Sequence, residues 1–222
     1  MPQQSTIDWN SIDTVLLDMD GTLLDLNFDN YFWMTHLPKR YCDIHGGDRD
    51  QVRMQLYEKI MSEKGNQRWY DLTYWSNHLE VDINALKCEI QHLIQPLPYT
   101  QKFIQFAQEA GKKLYIVTNA HIDGVEIKMG QVDLARHFER IVVAFEYDEP
   151  KESDAFWPLL QQDLGYDPRR TLFADDNTAV LAAAERAGIA EVIGMRCPDS
   201  KGTRNELTGH KAVDNLGFLV PQ

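Results

Sequence analysis

Four short stretches of this chain are apolar almost without interruption: TVLLD at 14–18, KLYIVT at 113–118, RIVVAF at 140–145 and TLFAD at 171–175. A strand with one wet face alternates apolar and polar residues; these do not. Near-continuous apolar strands are covered on both faces, which is the condition of a parallel sheet. EVIGM at 191–195 reads as a weaker fifth strand. Helical spacing lies between the strands. Phe103, Ile104, Phe106 and Ala107 run up to Gly111, Phe156, Leu159, Leu160 and Leu164 run up to Gly165, and the alanine-rich stretch 178–188 also ends in glycine. Glycine after an apolar periodic run is a helix stop. Strands alternating with helices predict an open, doubly wound α/β sheet.

Residues 25–95 break that rhythm. They hold no convincing strand, while Val52, Leu56 and Ile60 (with Tyr57 and Met61 alongside) and Leu86, Ile90, Leu93 and Ile94 recur at helical spacing. QPLPY at 95–99 reads as a linker. The expected organisation is an α/β core from 1–24 and 96–222, with an all-helical segment, 25–95, inserted after the first strand. The tail after residue 200 is expected to add one short strand and a final apolar helix.

The first apolar run stops at Asp18 and Asp20, followed by Gly21. Residues two apart on a strand point the same way, so both carboxylates aim to one side if the extended geometry persists. Asp-Gly marks a turn. The second strand ends in Thr118-Asn119 and the fourth in Asp175-Asp176-Asn177, while Lys151 follows the third at the expected start of a helix. In open α/β sheets the ligand crevice lies at the carboxyl ends of the strands. Parallel strands would therefore bring four carboxylates, an ammonium, a hydroxyl and an amide to one edge. Carboxylates so crowded either hold a cation or take up protons. Hard oxygen donors select Mg²⁺, which keeps several waters and accepts a phosphate oxygen.

Each feature has a plainer reading. Asp18 and Asp20 could be turn residues; a calcium loop fits worse, because Thr22 and Leu23 stand where it wants a carboxylate or amide and a glycine, and the flanks are strand-like. Thr118-Asn119 could simply end a strand, and Asp176 or Asn177 could cap the following helix. Lys151 could be an exposed lysine, but a cation at a helix N-terminus opposes the macrodipole. His121 could touch substrate or be a loop histidine. What favours one site is their joint occurrence, each at a strand end.

DMDGT after an apolar run, TN after the next strand, a later lysine, and DD after a further strand resemble the four motifs of the haloacid dehalogenase superfamily. The resemblance spans 14–24 and 97–200. It implies Asp18 as the nucleophile that forms an aspartyl-phosphate and Asp20 as the general acid and base. It implies Thr118 as the phosphoryl-holding hydroxyl, Asn119 as an orienting amide and Lys151 as the cation facing nucleophile and phosphoryl group. Asp175 and Asp176 match the acidic motif that holds Mg²⁺ with the Asp18 carboxylate and the Asp20 carbonyl, Asp176 being the direct ligand. Dehalogenases of this superfamily generally lack the second acid, so Asp20 favours phosphoryl transfer.

LLDMDGTLLDLNFDNYFW, WYDLTYWS, TNAH and RTLFADDN are also similar to segments of the bacterial GMP/IMP nucleotidases of this superfamily. These implications make the substrate a small phosphate ester, a purine nucleoside monophosphate, with the helical segment as a cap over the site. The cap aromatics could stack on a base, or Trp69, Leu72 and Trp75 could form its own core. A sugar-phosphate phosphatase, a phosphomutase and a non-catalytic binding module on the same fold remain alternatives.

The formal net charge of −12 repels polyanions, so a nucleic-acid polymer and an anionic membrane are not expected partners. Cys42, Cys88 and Cys197 are widely spaced and odd in number, which predicts free thiols in a reducing compartment. With a polar N-terminus and no apolar stretch of about 18 residues, the expected location is cytoplasmic.

Overall fold

Six parallel strands form one sheet in the order β3-β2-β1-β4-β5-β6. The computed structural model describes residues 7–221; the polar start of the chain, 1–6, lies outside them. The strands are β1 Thr14–Leu17, β2 Lys113–Thr118, β3 Arg140–Val143, β4 Thr171–Asp175, β5 Glu191–Met195 and β6 Lys211–Val213. The first five occupy the expected apolar runs. β3 stops two residues early because Ala144–Tyr147 turn into a 3₁₀ helix.

Alternation along each strand sorts side chains to two buried faces. Val15, Leu17, Leu114, Ile116, Leu172 and Ala174 share one cluster. Leu16, Val117, Phe173 and Val192 share the other. Helices cover both: α6 Thr100–Glu109 and α7 Ile122–Gln131 on the first face, α8 Phe156–Leu164 and α9 Thr178–Arg186 on the second. Leu16 and Leu17 are fully buried, each contributing about 1.5–3 kcal/mol relative to exposure. No face is left for water, which is why these runs are apolar throughout.

Five α-helices come from the inserted segment: α1 Asn27–Tyr31, α2 Leu37–His45, α3 Arg49–Ser62, α4 Leu72–Leu79 and α5 Ile83–Cys88. A π-helical stretch, Phe32–His36, joins α1 to α2. Asp48, Asp71 and Asp82 cap α3, α4 and α5 by accepting backbone N–H bonds, as short acidic side chains do at helix starts. Val52, Leu56 and Ile60 are buried as spaced, whereas Tyr57 is 49% exposed. α5 ends at Cys88, so Ile90, Leu93 and Ile94 lie beyond it. The first cluster continues into this segment through Phe28, Phe32, Leu72 and Trp75.

The two crossings between segment and sheet run side by side. Asp25 donates its N–H to Gln95 O (2.9 Å) and Leu97 to Leu23 O (2.9 Å). The tail adds β6 to β5 as expected, but its final apolar stretch makes only a 3₁₀ turn, Leu216–Leu219, held by Asn215 at its start and by the Trp9 indole N–H on Leu219 O (3.0 Å). The three cysteines are free. No described helix is long and apolar enough to cross a membrane.

Candidate active site

β1 lies between β2 and β4, with Leu17 level with Ile116 and Ala174. The chain builds β1, β2 and β3 to one side and then returns to β1 with β4. The order therefore reverses between β1 and β4, the place where open α/β sheets bind ligands. Asp18 and Asp175 flank it. Asp18 stays on the ladder, donating its N–H to Ala174 O at 2.9 Å. Beyond it the chain turns sharply: Leu23 and Leu24 both donate to Met19 O, and Gly21 donates to Leu24 O. Asp18 and Asp20 nevertheless line the same cavity, of about 660 Å³, between the strand ends and the helical segment.

Lys151 is buried at the centre of this edge. Its Nζ donates to Asp18 Oδ1 (2.5 Å), Asp175 Oδ2 (2.7 Å) and Val117 O (2.9 Å). It does not start a helix: residues 151–155 are turn, and α8 begins at Phe156. The macrodipole argument therefore does not apply. Lys151 is instead fixed by three acceptors. Burial disfavours its charge, but Asp175 and Asp18 outweigh that and raise its pKa.

Thr118 is buried at the end of β2, its hydroxyl accepting the Ala120 N–H (3.0 Å) and keeping its proton free to donate. Asn119 ties two loops together. Its Oδ1 accepts the Lys151 N–H (2.9 Å) and its Nδ2 donates to Glu152 Oε2 (2.8 Å). Asn177 caps α9 by accepting the Ala179 N–H, which leaves the Asp176 carboxylate out of the cap. Gly21, at φ +84°, closes tightly on that carboxylate: a Cβ there would lie 2.8 Å from Asp176 Cγ. His121 caps α7, its Nδ1 accepting the Asp123 N–H (3.3 Å), so its place is that of a helix-start residue at the cavity wall.

Asp18, Asp175 and Asp176 each present a carboxylate oxygen within 4.8 Å of the others. Burial pushes Asp176 up to about 8, with Asp175's charge adding and Lys151 opposing. Burial also raises Asp18 and Asp175 against the pull of Lys151. Two buried carboxylates, Asp18 and Asp175, with the half-buried Asp176 beside them, face one ammonium and are under-neutralised, and an all-oxygen donor set of this kind fits a hard divalent cation such as Mg²⁺. Within it, Asp175 has both oxygens engaged, one by Lys151 and one by the Asn177 N–H (2.8 Å). Asp18 and Asp176 are the freer donors.

Several neighbours lie outside the motifs. Lys128 on α7 donates to Asp20 Oδ2 (2.6 Å) and Asp29 Oδ2 (2.7 Å), and Lys87 on α5 donates to Asp29 Oδ1 (2.7 Å). Glu152 accepts from Tyr70 Oη, Asn119 and Asn177. A signal existed for the lysines. Lys87 shares the buried side of α5 with Ile83 and Leu86, and Lys128 stands four residues after Gly124 on the buried side of α7. A lysine on a core stripe must have a buried partner. The aromatic string 68–75 divides: Trp75 is fully buried in the core, while Trp69 and Tyr70 line the cavity.

The family model of haloacid dehalogenase-like hydrolases matches residues 12–188. With parallel sheet, strand-end carboxylates and buried lysine in hand, this chain belongs to that hydrolase family. Over 215 residues it is 33% identical to the GMP/IMP nucleotidase YrfG of Escherichia coli (strain K12), covering 97% of each protein. Its fold is similar to the crystal structure of a HAD phosphatase from Thermococcus onnurineus, at 18% identity and a TM-score of 0.80, covering 94% of this chain and 96% of that one. It is also similar to a putative beta-phosphoglucomutase from Thermotoga maritima, at 19% identity and a TM-score of 0.69, covering 94% and 97%.

Proposed function

We propose that this hydrolase is a Mg²⁺-dependent phosphohydrolase acting through an aspartyl-phosphate on Asp18, and that it dephosphorylates purine nucleoside 5′-monophosphates, GMP and IMP. The observation that carries the chemistry is the Lys151 ammonium fixed between Asp18 and Asp175 at the switch point of the sheet. The purine substrate rests on the 33% identity along nearly the whole chain to the GMP/IMP nucleotidase.

In this reading one Asp18 oxygen attacks phosphorus in line with the leaving oxygen. Lys151 and the Thr118 hydroxyl meet the negative charge that spreads over the phosphoryl oxygens, where most phosphoryl-transfer catalysis arises. Asp20 protonates the leaving ribose oxygen and then takes a proton from the water that attacks the acyl phosphate. Asn119 holds the Lys151 backbone, so that the ammonium meets Asp18 at a set distance. Asp18, Asp176 and the Asp20 carbonyl would hold Mg²⁺, with Asp175 beside them. Bound there, it would supply positive charge against the negative charge of the carboxylates and the phosphoryl group.

Residues 25–95 serve as the cap, the paired crossings at 23–25 and 95–97 as its hinge, and 1–24 with 96–222 as the catalytic core. A cavity of about 660 Å³ lies in the range of small-molecule sites, and Trp33 and Trp69 on its cap side offer flat apolar faces to a base. The three free cysteines support a cytoplasmic setting.

The test is a phosphate-release panel of nucleotides and sugar phosphates, with Mg²⁺ and with EDTA. GMP and IMP are expected to lead and EDTA to abolish release. Preference for a sugar phosphate would defeat the substrate assignment, and isomerised ester without free phosphate would point to a mutase.

A further inference from the structure

Asp20 is held by one oxygen only. Its Oδ2 takes the Lys128 ammonium at 2.6 Å, while its Oδ1 is buried with no hydrogen-bond partner among the described residues. A group that must exchange a proton with substrate needs this asymmetry: one oxygen anchored, the other free. The anchor is unusual in its surroundings. Lys128 is 3% exposed, sits on α7 beside the sheet, and reaches across to Asp29 Oδ2 on α1 of the helical segment (2.7 Å). Asp29 in turn takes Lys87 on α5 through its other oxygen (2.7 Å). The Lys87 ammonium lies over the rings of Phe28 and Phe32, at 4.9 and 4.6 Å from their centres, and Lys128 lies 5.6 Å from that of Phe28.

The four charges alternate as Asp20, Lys128, Asp29, Lys87, and two of them belong to the sheet side and two to the segment. A buried lysine is held by its partners and not by water. If the segment moves off the sheet, Lys128 loses Asp29 and its burial together, and water replaces the anchor of Asp20. The chain of contacts therefore ties the aim of Asp20 to the seating of the segment.

We propose that Lys128 is a positioning residue for Asp20, and that Asp29 and Lys87 make its hold depend on the helical segment being seated, so that proton transfer to the leaving oxygen is competent only in the closed molecule. This rests on the phosphohydrolase reading above. Among the described residues, Lys128 donates to Asp20 and Asp29 and not to the nucleophile Asp18. Its loss should spare formation of the aspartyl-phosphate from an ester whose leaving group needs no proton, and impair both release of an alkoxide and hydrolysis of the intermediate.

The experiment compares 4-nitrophenyl phosphate, which leaves as a stable phenolate, with GMP, using full-length protein in Mg²⁺. For Lys128→Met, folded by circular dichroism, the first turnover of nitrophenol is expected within about threefold of wild type while GMP turnover falls about 100-fold, the low end of a general acid's contribution. Asp29→Asn, of nearly unchanged shape, is the second variant, and serves if Lys128→Met does not fold. GMP kcat is expected to fall about tenfold, part of the same contribution, with the nitrophenol burst kept. Equal losses on the two substrates, or no loss in Asp29→Asn, would overturn the proposal while leaving an active phosphatase. Wild-type protein inert on both substrates would overturn the phosphohydrolase reading and the proposal with it.

Discussion

Tyr70 donates its hydroxyl to Glu152 Oε1 at 2.9 Å, and Glu152 is the residue after Lys151. The proposed cap thus touches the loop that carries the cation facing Asp18. Burial and the Glu152 charge both raise the Tyr70 pKa, so the phenol stays protonated and a donor through the physiological range.

Tyr70→Phe removes this donor and leaves Glu152 with Asn119 and Asn177. A hydrogen bond to a charged acceptor contributes about 1.5 kcal/mol at the low end, so KM for GMP is expected to rise about tenfold. Nitrophenyl phosphate, with no nucleoside to seat, should keep its kcat within about twofold on the same scale. Steady-state kinetics on both substrates checks this.

Lys151→Met leaves Asp18 and Asp175 buried without their shared cation. Unfolding titrations should show a loss of about 3–5 kcal/mol at pH 8, and a smaller loss at pH 5, where the two carboxyls, already raised by burial, take up protons. Activity should fall by about 10²–10³ in kcat, as when a donor to a developing oxyanion is removed.

In the proposed Mg²⁺ site, metal and protons would compete for the same oxygens. Asp176 stands at about 8 in the folded chain against an unfolded value near 3.8. The folded state therefore binds more protons between those values, and stability without metal falls as pH rises from about 4 to about 8. Mg²⁺ at about 100 times its Kd should add ~2.7 kcal/mol, raising Tm by about 5–10 °C for a chain of this size. At one fixed Mg²⁺ concentration the rise should be larger at pH 8 than at pH 5.5, because protons compete less there. Thermal melts in EDTA and in Mg²⁺ at the two pH values decide it.

Gly21→Ala is a sharper probe of the metal edge than its distance in sequence from Asp176 suggests. Its φ of +84° and the 2.8 Å approach of a Cβ to Asp176 Cγ force backbone or carboxylate to give. Strain of about 1–3 kcal/mol should appear as a lower Tm together with weaker Mg²⁺ affinity, measured by calorimetry. An unchanged Mg²⁺ affinity would show that Asp176 is not held by this turn.

Strands β1 to β5 were legible because two-sided burial leaves a one-dimensional trace, an apolar run without alternation. The convergence of Asp18, Asp20, Thr118, Asn119, Lys151, Asp175 and Asp176 on one cavity was legible because a parallel sheet gathers strand ends at one edge. The end of α5 at Cys88 was not, since Ile90 and Ile94 are buried without being helical. Lys151 also differs from its expected place, held by three acceptors in a turn and not at a helix start. Lys128, Asp29 and Lys87 form a network across elements about 40 to 100 residues apart. Nothing local except a lysine on an apolar stripe announces it.

The central claim is that Asp18 becomes phosphorylated during turnover. Acid quench of the protein with Mg²⁺ and GMP labelled in its phosphate, followed by peptide mapping, tests it most directly. Label on the peptide bearing Asp18, absent in Asp18→Asn, is the expected result. Active turnover with no label on the protein, or label on another residue, would contradict the account.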